Sequence, residues 1–322
     1  MKISLFRFVR RFCSLLGVLC LAPHSPAADQ TGKHLKIGFA QTGAESAWRT
    51  ANTESMKSEA EKRGIDLKFS DGQGKPENQI RAVRSFVAQG VDVIIIAPIV
   101  TTGWEPVLRE AKQAGIPVIV MDRAIAVSDP SLYACFIGSD FAQEGRMAAD
   151  WLAAHPHGQG RILELLGTTG SDPANERHRA FAEAIAQYPD LKIIDSQSGD
   201  FRRDGGKEVM EAFLKKHGRD FDVVYAHNDD MALGAIQAIE AAGLKPGVDV
   251  KIISIDATRE GVQAVADGRI NCVVECNPLF GPKAYDAAAR LVAGLPVPAK
   301  QYNKDQLFDI TNAAAALPSR KY

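Results

Sequence analysis

The feature that most constrains this chain is a regular alternation of two patterns. Short apolar, β-rich runs stand at 35–40, 66–70, 91–97, 117–121, 134–138, 161–166, 192–196, 223–226, 251–255 and 272–275. Between most of them lie amphipathic stretches at 46–63, 76–89, 104–114, 141–154, 174–187, 206–217, 230–242 and 282–293. In these, Val83 with Val87, Leu108 with Ala111, and Ile236 with Ile239 keep the three- and four-residue spacings of a buried helix face. Gly64, Gly90, Gly115 and Gly243 each close a helix, the expected place for a left-handed cap. Strands joined through helices pair in parallel, and unbroken runs such as "VDVIIIAP" suit strands covered by helices on both faces. The fold class expected is therefore α/β.

Ten strands in 322 residues exceed one ordinary core, so two Rossmann-like lobes with parallel sheets are expected. The rhythm breaks once. The run at 117–121 is followed by the loop 124–132 and another strand, with no helix between, which places the first crossing between lobes near 138–140.

The first residues read as an export signal. Lys2, Arg7, Arg10 and Arg11 precede an apolar stretch at 12–22, and Ser25-Pro26-Ala27 offers small residues for cleavage. That stretch is shorter than the roughly 20 residues a membrane-spanning helix needs. The formal net charge of −1 gives no basic face for nucleic acid or an anionic membrane, so a small, uncharged partner is expected. Cys135, Cys272 and Cys276 would remain after cleavage, without metal-ligand spacing. If the chain is extended from Cys272 to Cys276, their Cα atoms lie about 13 Å apart, beyond the reach of a disulfide, and all three read as buried small hydrophobes. No metal and no cofactor are expected.

In open parallel sheets, ligands sit beyond the carboxyl ends of the strands. The run "PVIVMDR" ends there in Asp122 and Arg123, an acid and a base that can keep each other charged while offering acceptors and donors to neutral hydroxyls. The other strand ends supply residues 41–49, Asp71, Pro98, Thr168, Asn228-Asp229, Asp256 and Glu275. Trp48 offers an apolar plate for a sugar ring, with Glu45 and Arg49 beside it, whereas Trp104 reads as structural. His227 stands at a strand end without an obvious catalytic partner and reads as structural, while Asp229 and Asp230 read as the capped start of a helix. Phosphate-loop, HExxH, CxxC and GxSxG patterns are missing, which points away from catalysis.

The residues also carry a resemblance. From "KIGFAQTGAESAWR" through "SEAEKRGI", "ENQIRAVRSFVAQGVDVIIIAP", "TGWEPVLREAK", "SQSGDF", "GKEVMEAF" and "VYAHNDDMALGAIQAI", the chain resembles the periplasmic sugar-binding proteins of bacterial ABC importers. The likeness lies in the type I branch with ribose-binding proteins, nearest to the galactofuranose-binding group. It implies an export signal at 1–27, an N-terminal lobe of 28–138 with 277–305, and a C-terminal lobe of 139–276 with 306–322. It implies a monomer in the periplasm that captures a monosaccharide, galactofuranose first, and delivers it to an ABC permease. It further implies that Glu45, Ser46, Trp48 and Arg49 form one wall, that Asp122 and Arg123 bind hydroxyls from the same lobe, and that Arg177, Asn228 and Asp256 do so from the other. Glu275 would join them at the hinge. Arg177, read from spacing alone, is a solvated helix charge.

The chain departs from the group's pattern in three places. Ala47 stands where a glycine is usual and is expected to narrow the site beside Trp48. "TTGSDPANERHR" differs in the loop leading to Arg177, and Gly160 and Asp222 replace two cysteines that would form a disulfide. The alternatives are a ribose, arabinose or galactose type of binding protein, a ligand carrier for a chemoreceptor or sensor kinase, a sugar-modifying enzyme, and the effector domain of a transcription regulator. The last would need a DNA-binding motif where this chain has a signal.

Overall fold

The computed structural model describes residues 34–155 and 160–322, so the expected signal lies outside the described residues. Each apolar run forms a strand: β1 (Lys36–Gln41), β2 (Asp66–Asp71), β3 (Val93–Ile96), β4 (Val118–Met121) and β5 (Cys135–Gly138), then β6 (Gly160–Leu166), β7 (Leu191–Ser198), β8 (Val223–Ala226), β9 (Lys251–Asp256) and β10 (Cys272–Glu275). The structure adds β11 (Lys300–Tyr302) and β12 (Leu307–Asp309). These two three-residue strands are too short and too polar to show a period in sequence. They complete two six-stranded sheets, ordered β11-β5-β4-β3-β1-β2 and β12-β10-β9-β8-β6-β7. All pairings between strands are parallel except that of β10 with β12, which is antiparallel.

The helices explain the apolar runs. In the first lobe α1 (Ala47–Arg63), α2 (Pro76–Ala88) and α3 (Glu105–Gln113) cover the sheet, joined late in the chain by α9 (Gly281–Val292). The second sheet is flanked by α4 (Phe141–Ala154), α5 (Asp172–Ile185), α6 (Arg203–His217), α7 (Asp229–Ala241) and α8 (Arg259–Ala266), with α10 (Ala313–Ala316) packed on α8. Covered on both faces, β3 and β4 are buried at every residue. Each such Val or Ile side chain contributes about 1.5–3 kcal/mol relative to exposure. Trp104 is buried, its Nε1 donating to the Val100 carbonyl at 2.8 Å. The three cysteines are free and buried.

The chain changes sheets after β5, returns to the first sheet after β10, and leaves it again between β11 and β12. Both sheets therefore point their strand ends at one cleft. Two local devices set the helices there. Ser46 caps α1 by accepting the Arg49 amide, and Asn228 caps α7 by accepting that of Met231. Gly145 lets α4 approach α5 closely, since a Cβ on it would lie 2.6 Å from the Arg177 carbonyl oxygen.

Candidate functional site

The first-lobe half is a lattice of four charged groups. The cap at Ser46 sets Trp48 and Arg49 on the first turn of α1. The Arg49 guanidinium then spreads over three acceptors: Nε donates to Glu45 Oε1 at 3.0 Å, Nη1 to Gln41 Oε1 at 3.2 Å, and Nη2 to Asp122 Oδ2 at 2.7 Å. Arg123 donates through Nη2 to Glu45 Oε1 and through Nη1 to the Ile99 carbonyl, both at 3.3 Å. Its buried Nε has no hydrogen-bond partner among the described residues. The run "PVIVMDR" stops where it does because Asp122 adopts a φ of 67°, a left-handed conformation costly for a residue with a Cβ. Burial opposes the charge of Glu45, but Arg49 and Arg123 outweigh it and lower its pKa. Burial, aided by the charge of Arg49, brings Arg123 down to about 10, so it remains a cation at neutral pH. The Trp48 indole donates to the Cys276 carbonyl at 2.6 Å and meets Phe280 edge-on.

The second-lobe half is built differently. Arg177 donates from Nε to Glu144 Oε2 at 2.7 Å and from Nη1 to the His227 carbonyl at 2.6 Å. Its guanidinium carbon lies 5.0 Å from the Phe141 ring centroid. Burial works against its charge, but Glu144, Cys276 and Asp256 prevail and raise its pKa. Asn228 is engaged at both ends, accepting the Met231 amide and donating to the Phe201 carbonyl, each at 3.0 Å. Asp256 ends β9 at a φ of 121°. Burial pushes its carboxyl well above the usual range despite Arg177.

These side chains meet in one cavity, lined by Glu45, Ser46, Trp48, Arg49, Asp122, Arg123, Phe141, Pro173, Arg177, Phe201, Asn228, Asp256 and Cys276. Carboxylates that accept and guanidinium groups that donate match hydroxyls, which do both, while the aromatic rings cover C–H faces.

Nine of the ten residues named from sequence line this cavity, and Glu275 does not. Its Oε1 instead accepts from Arg320 Nη2 at 2.7 Å and Tyr322 Oη at 3.1 Å, partners too distant in sequence for spacing to reveal. Arg177 is not a solvated helix charge, because the close packing of α4 and α5 buries it against Glu144. Ala47 is exposed and lines no part of the cavity, so its methyl group does not narrow it. Asp229 does not cap its own helix. It accepts from the Thr258 amide at 2.7 Å, Thr258 Oγ1 at 2.8 Å, and Ser254 Oγ. Asp230 accepts from Arg203 Nε at 3.0 Å. His227 is buried, with Nε2 at 3.1 Å from Glu164 Oε1.

Phe141, Pro173, Phe201 and Cys276 were missed. Phe201 follows a strand end in "SGDF" and was the most accessible of them to sequence reasoning. At Gly160, a Cβ would lie 3.7 Å from that of Asp222, so the two positions keep disulfide spacing without the cysteines. Asp222 accepts the Arg161 amide there at 2.8 Å.

Residues 37–296 match the family described as periplasmic binding protein domain. A curated relative, the galactofuranose-binding protein of Escherichia coli (strain K12), is 55% identical over 256 residues, 79% of this chain and 80% of its own. A solved structure from Mycobacterium smegmatis in complex with β-D-fucofuranose is 57% identical with a TM-score of 0.87, covering 89% of this chain and 95% of that one. The periplasmic binding protein of the arabinose ABC transporter of Shewanella sp. ANA-3, bound to α- and β-L-arabinofuranose, is 49% identical with a TM-score of 0.86, at the same coverage.

Proposed function

Because this chain belongs to the periplasmic binding protein family, its function is to bind a solute rather than transform one, and we propose that the solute is a sugar in its furanose ring form, galactofuranose first. The observation that carries this reading is a cavity walled by charged groups and aromatic rings of both lobes. The relatives support it: their ligands differ as galactofuranose, fucofuranose and arabinofuranose, yet share a five-membered ring.

Residues 28–138 with 277–305 and 139–276 with 306–322 are then the two bodies that close on the sugar. A ligand shifts an open–closed equilibrium only by binding one state better, so contacts are needed from both bodies. Glu45, Arg49, Asp122 and Arg123 meet ring hydroxyls or the exocyclic diol from the first lobe, with Ser46 and Trp48 completing that wall. Arg177, Asn228 and Asp256 meet them from the second. Glu275 is released from this set and serves the hinge. The protein acts as an exported monomer in the periplasm, its signal at 1–27 removed, and hands the sugar to an ABC permease. No helix among the described residues is long and apolar enough to cross a membrane.

The test is calorimetric titration with a panel of pentoses and hexoses, followed by a crystal structure with the tightest ligand. A bound furanose of galactose is the expected result. A pyranose in the cavity, or a clearly tighter pentose, overturns the assignment of the sugar. Prolonged incubation with that sugar is expected to return it unchanged.

A further inference from the structure

Away from the cavity and from the crossings of the chain, three hydrogen bonds among the described residues join the lobes, and in all three the donor lies in the first lobe. The Ala47 amide donates to Asp230 Oδ2 at 2.7 Å, the Ala124 amide to Asp172 Oδ2 at 2.9 Å, and the Thr101 amide to the Gly170 carbonyl at 3.1 Å. The donors are main-chain groups near the carboxyl ends of β1, β4 and β3, and the acceptors lie at or just before the first turns of α7 and α5. A carboxylate in the first turn of a helix ordinarily serves that helix's own free amides. Asp172 and Asp230 are instead aimed across the cleft. Ala47 is the first residue of α1, so Asp230 satisfies an unpaired amide at the positive end of a helix in the opposite lobe. Arg203, through its Nε at 3.0 Å, holds Asp230 in place from the other side.

We propose that Asp172 and Asp230 are affinity-determining latches that lie outside the sugar cavity and set how long the lobes stay shut. This rests on the reading that the cleft closes over a sugar. A contact made only in the closed form raises the closed population whether or not ligand is present, and apparent affinity rises with that population. Encounter occurs with the open form, so the latches act on release and not on association.

The test compares Asp172→Ala, Asp230→Ala, the double variant, and the Asn substitutions at both positions, with D-galactose as the probe. Stopped-flow release is expected to be roughly three- to thirtyfold faster in each Ala variant, with association within about twofold. Asn, which keeps an acceptor for the amide, is expected to restore most of the wild-type lifetime. The melting temperature of the sugar-free protein is expected to stay unchanged. Single-molecule energy transfer between one dye on each lobe reads the same latch without sugar, as shorter closed dwell times in the Ala variants. Wild-type release rates in both Ala variants overturn the proposal, as does faster release matched by an equal loss of sugar-free stability. If the wild-type protein binds no D-galactose, that sugar reading falls on its own. The dye measurement then decides the latch: shortened closed dwells support it, and unchanged dwells overturn it.

Discussion

The two halves of the cavity hold their charge in different ways. In the first lobe, Arg49 and Arg123 face Glu45 and Asp122, so two cations and two carboxylates compensate one another at the cavity wall. In the second, Arg177 is neutralised from behind by Glu144, a helix residue outside the lining. The first half is a self-contained lattice at the ends of β1 and β4 and the first turn of α1. The second borrows its compensation from the helix layer, which ties ligand binding there to the stability of the lobe.

That contrast breaks most visibly at Arg177. Arg177→Ala strands Glu144 in the interior and is expected to cost about 3–5 kcal/mol of stability as well as most of the sugar affinity. Adding Glu144→Gln is expected to restore stability but not affinity, a separation that denaturant melts and calorimetry on the single and double variants would read. Loss of affinity with no change in the single variant's melt would erase the distinction between the halves.

Arg123→Ala is the first-lobe counterpart. Affinity is expected to fall by roughly 2–5 kcal/mol, because sugar hydroxyls and Glu45 lose a charged donor in a closed cleft. The melt is expected to move far less than for Arg177→Ala, since Arg49 still holds both carboxylates. Binding within threefold of wild type would reduce the Asp122–Arg123 pair to a strand cap.

The halves also differ in the sign of their pH dependence. Burial pushes Asp229, beside Asn228, up to about 7 from its ordinary 3.8, against the hydrogen bonds of Ser254 and Thr258. A raised folded pKa gives a contribution that is full below about 3.8 and lost as pH rises through about 7. Wild type is therefore expected to lose on the order of 1–3 kcal/mol relative to Asp229→Asn between pH 4 and 8. Glu45 has a lowered pKa, so its contribution is present above 4.5 and lost as pH falls through the folded value. The advantage of wild type over Glu45→Gln is expected to shrink toward acid. Equal slopes for the two variants in chemical denaturation would contradict this opposition.

The smallest effect belongs to Ala47→Gly. Its side chain is exposed and only its amide is used, so affinity is expected to change by less than about 0.5 kcal/mol. A larger gain in calorimetry would return the methyl group to the site.

The layered α/β architecture is legible in the sequence, because strand burial on two faces and helix burial on one leave periodicities that are local. The first-lobe wall is legible too, since Asp122 and Arg123 follow directly on β4 while Glu45 and Arg49 lie between the end of β1 and the first turn of α1, where a parallel sheet presents its ligands. Among the second-lobe residues, Asn228 and Asp256 were legible for the same reason, whereas Arg177 entered only through resemblance. Its burial depends on Gly145 and Glu144 of a neighbouring helix, which no spacing records. Long-range packing turns Glu275 toward Arg320 and Tyr322, sets Phe141 and Phe201 over the cavity, and aims Asp172 and Asp230 across the cleft. Each of these depends on which distant element stands opposite, and that is decided by packing rather than by local pattern.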